Sequence, residues 1–209
     1  MRTVVLLSGG LDSMVSLLLC LHQNHEIVLA LTVDYGQKAA ASEIRVSEKL
    51  CKRYDIKHRV VELPFMLEIS SGLNRAGTNL TESVWVPNRN GLLVAIAACF
   101  AESLGAEQVL CGFNREEARN FPDNTREFVD AQNRALYFST LNHVKVTSMV
   151  QHMDKEEIVR QGLKLGLDFR ELWCCYESGN KQCGLCPSCQ KDKEAFVKAG
   201  INADEYFVY

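Results

Sequence analysis

The sequence predicts an α/β fold: a doubly wound, mostly parallel five-stranded sheet over residues 1–150, followed by a small helical, zinc-binding subdomain over residues 151–209. Three observations carry that prediction. Short apolar runs rich in β-branched residues alternate with segments of helical spacing, the order that builds a parallel sheet. The first run, Thr3-Val4-Val5-Leu6-Leu7, meets Ser8-Gly9-Gly10-Leu11-Asp12-Ser13 and then a helix. The chain holds nine cysteines, and five of them fall between Cys174 and Cys189.

Val4 to Leu7 shows no alternation, as suits a strand buried on both faces. Glycines at 9 and 10 allow a tight turn and close approach to a ligand. Leu11, Met14 or Val15, Leu18 and Leu21 then recur at helical spacing. A glycine turn between strand and helix is an anion site, because free N–H groups and the helix dipole converge there. The turn lacks the lysine of a Walker loop, but the Ser8 and Ser13 hydroxyls can donate to phosphate oxygens.

Glu26 to Asp34 is the second buried strand, ending in Asp34-Tyr35-Gly36-Gln37 beside the glycine turn. In a doubly wound sheet ligands bind beyond these strand ends, so Asp34 or Gln37 either touches ligand or solvates a loop. Ala39 to Tyr54 reads as a helix and Lys57 to Leu63 as the third strand, stopped by Pro64. Phe65 to Val86, with Ser70-Ser71-Gly72, Asn74, Gly77 and Asn79, is irregular and long enough for a lid or binding loop. Leu92 to Leu104 is an apolar helix. Arg89 near its start opposes the helix dipole, which is explained if an anion sits beside it. Gln108 to Cys111 is the fourth strand, Thr125 to Leu141 a helix, and Val144 to Met149 the fifth strand. Asp154 is an N-cap, and Gly166 closes the helix it starts.

Cys183, Cys186 and Cys189 form C-x2-C-x2-C, with Cys175 as a fourth thiolate. Four thiolates fill a tetrahedral zinc site and leave no open position, so such a zinc is structural. The spacing also suits an iron–sulfur cubane, and Cys174 competes with Cys175 as ligand. A 47% apolar, 23% charged chain of net charge −3 argues against tight binding of a nucleic-acid backbone. No apolar run is long enough to span a membrane and no signal peptide is visible, so a cytoplasmic protein with reduced cysteines is expected.

SGGLDS resembles the signature of the PP-loop ATP pyrophosphatases (adenine nucleotide alpha hydrolase-like), which split ATP into AMP and pyrophosphate. Together with the cysteine knot, Asp34-Tyr35-Gly36-Gln37, Val86-Pro87-Asn88-Arg89-Asn90, Pro122-Asp123 and Asp154-Lys155, it resembles the 7-cyano-7-deazaguanine synthases over nearly the whole chain. That resemblance implies a ligase that turns 7-carboxy-7-deazaguanine and free ammonia into the nitrile for queuosine or archaeosine synthesis. The carboxylate is adenylated and captured by ammonia, and the amide is then adenylated and dehydrated. ATP phosphates and Mg2+ fall to Ser8, Gly9, Gly10, Leu11, Asp12 and Ser13, with Asp34, Tyr35 and Gln37 beside the nucleotide. Arg89 is expected at the carboxylate, Lys155 where pyrophosphate leaves, and Asp123 or Gln37 at the purine edge. The zinc ligands are Cys175, Cys183, Cys186 and Cys189. A homodimer is also implied, with small-molecule substrates and no RNA. Two stretches depart from the commonest family form: Lys38-Ala39, and Glu116 to Asn124. The competing readings are a tRNA-thiolating PP-loop enzyme, a non-catalytic nucleotide binder, and a relative that stops at the amide or attaches the deazapurine to a macromolecule.

Overall fold

The computed structural model describes residues 1–69, 72–74 and 84–208. Five strands, β1 (Arg2–Leu6), β2 (Glu26–Asp34), β3 (His58–Glu62), β4 (Gln108–Cys111) and β5 (Lys145–Ser148), form one sheet in the order β3-β2-β1-β4-β5. Every pairing is parallel. Val4 and Val5 are fully buried on opposite faces. Val5, Ala30 and Leu110 face one core, while Val4, Leu31, Val109 and Val146 face the other, as the two-residue period of a strand requires.

Helices cover both faces. α3 (Arg89–Ser103) and α4 (Arg126–Ser139) lie over the second core, through Val94, Ala97, Ala98, Ala101, Val129 and Leu136. α1 (Leu11–His22), α2 (Ala40–Arg53), α5 (Lys155–Lys164) and α6 (Pro187–Ala199) surround the first. α5 packs on both α1 and α6, and its start is fixed by a reciprocal cap. The Asp154 carboxylate accepts from Glu157 N–H at 3.0 Å and the Glu157 carboxylate accepts from Asp154 N–H at 2.9 Å.

Element bounds differ from the sequence expectation by a residue or three, most usefully at α3. This helix begins at Arg89 rather than Leu92, because Asn88 takes a left-handed conformation (φ 53°) directly after Pro87 and turns the chain into it. Of the expected binding loop, Gly72 and Asn74 are described, and Asn74 donates to the carbonyls of Met66 and Ile69. Ser70, Ser71, Gly77 and Asn79 lie outside the described residues. Among the described residues no helix is long and apolar enough to cross a membrane.

Candidate functional site

Strand order reverses at β1, and the crevice opened there is where a doubly wound sheet binds ligands. The glycine turn sits at its mouth. Gly9 has φ +74° and no room for a side chain, since a Cβ would stand 2.8 Å from Val46 Cγ1. Ser13 Oγ donates to the Gly10 carbonyl at 3.0 Å and lies 3.2 Å from Ser8 Oγ, so both hydroxyls converge at the N-terminus of α1. The tail returns to this turn: Trp173 N–H donates to the Gly9 carbonyl at 2.9 Å.

Two cavities flank the turn. One, of about 270 Å³, runs between the ends of β1 and β2 and the Gly112-Phe113 segment after β4. The other, of about 180 Å³, is closed on its far side by Trp173, Cys174, Tyr176, Lys155 and Asp192. Ser8, Gly10, Asp12, Tyr35, Glu43 and Arg89 line both. The glycine turn stands between the two cavities.

The charged groups at this wall are mostly buried. Lys155 Nζ lies 2.7 Å from Asp12 Oδ2 and 3.3 Å from Asp192 Oδ1. Burial alone would push its ammonium down, but the two carboxylates outweigh burial and hold it well above the usual lysine value. Burial pushes the Asp12 carboxyl up to about 6 in spite of Lys155. Asp12 Oδ1 is buried and accepts no hydrogen bond among the described residues, an oxygen suited to a hard divalent cation. Arg89 donates from Nη1 to the Tyr35 hydroxyl at 3.2 Å and from Nε to Asn90 Oδ1 at 3.3 Å.

The other expected site residues are distributed unevenly. Leu11 is 1% exposed and packs in the core, though it also touches the second cavity. Asp34 Oδ1 accepts from Gly36 N–H at 2.9 Å, and Asp34 is absent from both cavity walls. The Gln37 carboxamide is engaged at both ends: it accepts from Tyr35 N–H and donates to the Val33 carbonyl and the Glu43 carboxylate. Asp123 accepts from Asn124 Nδ2 and faces neither cavity, although its charge reaches Arg89. Lys38 pairs with Glu177 at 3.5 Å, Glu117 with Lys191 at 3.0 Å, and Glu116 accepts from Lys155 N–H at 3.1 Å. Of the residues in the two departing stretches, Ala39 lines the second cavity and Glu116 touches its wall through Lys155.

Glu43 was not anticipated, because a glutamate in a helix's first turn reads as a solvated, dipole-favoured charge. Burial pushes its carboxyl up from 4.5 to about 6. A raised carboxyl pKa favours the protonated folded state, so stability is lost as pH rises from about 4.5 to about 6 and stays lost above. Glu43→Gln is therefore expected to gain stability at pH 7.5 and to gain none at pH 4. Because Glu43 faces partly open cavities, the gain is about 1 kcal/mol rather than the ~2 that the full shift implies. Urea unfolding at the two pH values measures it, and an equal effect at both would contradict this origin.

The four expected metal ligands converge. The sulfurs of Cys175, Cys183, Cys186 and Cys189 all lie within 4.8 Å of one another, and Cys183 Sγ is 3.9 Å from Cys189 Sγ. Four thiolates at the zinc–sulfur distance of ~2.3 Å would be separated by about 3.8 Å, so the donor set fits a single ion. Backbone N–H groups of Cys183, Leu185, Cys186 and Cys189 point at these sulfurs at 3.3–3.5 Å. Cys174 Sγ also lies 3.9 Å from Cys189 Sγ, but Cys174 does not join the four mutually close sulfurs and lines the second cavity.

A parallel sheet of this order, with SGGLDS joining its central strand to a helix and a cavity at the switch point, defines a PP-loop nucleotide-binding fold. Solved structures agree. A U34-tRNA thiolase NcsA from Methanococcus maripaludis, with its 4Fe–4S cluster, aligns with a TM-score of 0.55 at 16% identity, over 98% of this chain and 69% of that one. An NMN synthetase from Francisella tularensis gives a TM-score of 0.52 at 15% identity, over 97% and 74%. Both show the fold alone. The family described as queuosine biosynthesis protein QueC matches residues 2–200. A 7-cyano-7-deazaguanine synthase of Carboxydothermus hydrogenoformans is 48% identical over 93% of this chain and 97% of its own length. That of Desulforudis audaxviator is 46% identical over 96% and 98%, and that of Methanosarcina mazei 39% over 96% of each. The chain belongs to the QueC family, whose curated members are synthases, and it is an enzyme.

Proposed function

We propose that this enzyme is an ATP-dependent C–N ligase making 7-cyano-7-deazaguanine from 7-carboxy-7-deazaguanine and ammonia. The observation that carries this reading is the pair of cavities sharing the glycine turn and Arg89 as a common wall. ATP occupies the switch-point cavity with its phosphates at Ser8, Gly10 and Ser13. The deazapurine occupies the second cavity, and its carboxylate oxygen attacks the α-phosphorus as pyrophosphate leaves. Ammonia then attacks the acyl carbon, loses a proton and expels AMP. The resulting amide oxygen attacks the α-phosphorus of a second ATP as its pyrophosphate leaves, and loss of AMP from carbon and of both protons from nitrogen leaves the nitrile. Lys155 offsets the charge that builds on the leaving pyrophosphate. Bound Mg2+ would neutralise phosphate charge, with Asp12 Oδ1 as the free protein ligand.

Arg89 holds the carboxylate and its acyl adenylate, since a guanidinium can meet two oxygens at once. Arg89→Lys keeps the charge and loses the fork. Turnover is expected to fall about ten- to hundredfold, equivalent to ~1.5–3 kcal/mol, with ATP affinity nearly unchanged. Loss of ATP binding with normal turnover at saturating ATP would move Arg89 to the nucleotide side.

We read the cysteine knot as one structural zinc that fastens residues 151–209 onto the nucleotide domain 1–150. A cubane puts each thiolate on a different iron and spreads the sulfurs wider than this cluster, which favours zinc over the cluster of the thiolase. Thiolates that hold a metal suit a cytoplasmic protein. We also read the chain as a homodimer. α3 is apolar all round, a feature of helices covered on every side, while Ala95 and Cys99 on its outer face remain exposed and Leu92 and Ile96 half-buried. Light scattering is expected to report twice the 23.5 kDa chain mass; a monomer at working concentration would refute it. The reaction is tested by supplying deazapurine carboxylate, ammonium and Mg·ATP without RNA and identifying the product by mass. The nitrile is expected, whereas the amide or no small-molecule product would favour the competing readings.

A further inference from the structure

We propose that Asp192 positions the Lys155 ammonium against the glycine turn, and that the four-cysteine metal knot sets the place of Asp192. The inference rests on the reading of Lys155 as the cation that meets the leaving pyrophosphate, and it makes the knot part of the active-site framework.

Lys155 is a poor place for a buried cation by local rules. It opens α5, where the helix dipole repels positive charge, and it is 7% exposed. Two carboxylates compensate: Asp12 from the first turn of α1 at 2.7 Å, and Asp192 from α6 at 3.3 Å. Asp192 is itself 1% exposed. Its Oδ1 sits at ion-pair separation from Lys155 yet makes no hydrogen bond among the described residues, so it acts on Nζ as a charge. The two carboxylates do different work. Asp12 belongs to the anion-binding turn, and its free Oδ1 suits a divalent cation; once that cation draws on Asp12, Asp192 is the carboxylate left to hold Nζ in place.

The knot fixes Asp192 through α6. Cys186 is the N-cap of this helix, its sulfur accepting from Cys189 N–H at 3.5 Å. Asp192 follows Cys189 by three residues, which on a helix puts the two side chains on neighbouring turns of one face. Ser188, between the two cysteines, lines the same cavity as Asp192, Ser8 and Gly10. A metal that clamps Cys186 and Cys189 therefore clamps the first turn of α6 and, one turn on, the carboxylate that faces Lys155. A merely compensating Asp192 would affect stability alone, and replacing one member of a buried ion pair then leaves catalysis intact in a protein that folds.

The test uses the full chain with its metal and the variant Asp192→Asn. Three readouts are taken: metal per chain, the rate at which an amine-acylating reagent modifies Lys155 as followed by peptide mass spectrometry, and steady-state AMP formation. The variant is expected to keep its metal, to expose Lys155 to acylation at least about tenfold faster, and to lose about ten- to hundredfold in kcat with an unchanged KM for ATP. A Lys155 as protected as in the wild type, or a wild-type kcat, overturns the proposal. Chelating the metal from the wild type should speed Lys155 acylation while the sheet remains folded by far-UV circular dichroism; continued protection there removes the knot from the mechanism. If the asparagine variant does not fold, Asp192→Glu keeps the charge and shifts it by one methylene; a lowered kcat at full metal content supports positioning, and an unchanged kcat refutes it. Acylation needs no turnover, so a wild type that releases no AMP from the deazapurine carboxylate would refute the proposed reaction while Lys155 protection still decides the role of Asp192.

Discussion

Gly10→Val is expected to abolish AMP formation and leave the fold intact. Gly10 sits at φ −76° and ψ 160°, a conformation open to any residue. A Cβ built there would stand 3.4 Å from Ser8 Oγ and 3.7 Å from the Trp173 carbonyl, close but tolerable. The branched side chain would instead occupy the space between Ser8 and the N-terminus of α1, where both cavities meet. Displacing phosphate by even an ångström there costs at least about 100-fold in rate. Gly9 behaves differently: its left-handed backbone and the contact with Val46 mean that Gly9→Val lowers stability first. AMP release followed by chromatography, with a thermal melt on both variants, separates the two effects. Wild-type AMP formation by Gly10→Val would contradict the placement of the phosphates.

Cys186→Ser should have the second largest effect. Cys186 is fully buried, contributes to the sulfur cluster and caps α6. Losing one thiolate from a closed four-thiolate site forfeits much of an apparent binding energy on the order of 10 kcal/mol. The consequence is local before it is global. α6 contributes Phe196 and Ala195 to the core shared with α1 and α5, so the tail should lose hydrogen-exchange protection while β1 and β4 keep theirs. The wild type should be colourless with one zinc per chain by elemental analysis, and the variant should have none. A brown wild-type preparation containing iron would replace zinc with a cluster.

How far the sequence could be read depended on how local each signal was. β1, the turn and α1 are contiguous, so a buried run, two glycines and a helical period sufficed. Strand order, by contrast, follows from the alternation of elements only through the handedness of their connections. Arg89 stood out because its charge conflicts with a helix start, a conflict visible without coordinates. The cysteine spacing pointed to a quartet but left Cys174 and Cys175 open, since adjacent residues differ only in which way their side chains turn. Glu43 and Asp192 gave no signal: each is one polar residue on an amphipathic helix, and only packing distinguishes a buried charge from a solvated one. Gln37 reads from its place at a strand end as a ligand contact; it lines the second cavity, and what the sequence could not show is that its carboxamide is also bonded to Tyr35, Val33 and Glu43.

The central claim is that one glycine turn activates the same carbon twice. The most direct measurement is the ratio of AMP released to nitrile formed, from 7-carboxy-7-deazaguanine, ammonium and Mg·ATP in the absence of RNA. Two AMP and two pyrophosphate per nitrile are expected, with the amide seen only in transit. One AMP per product, with the amide accumulating as the end point, would contradict it.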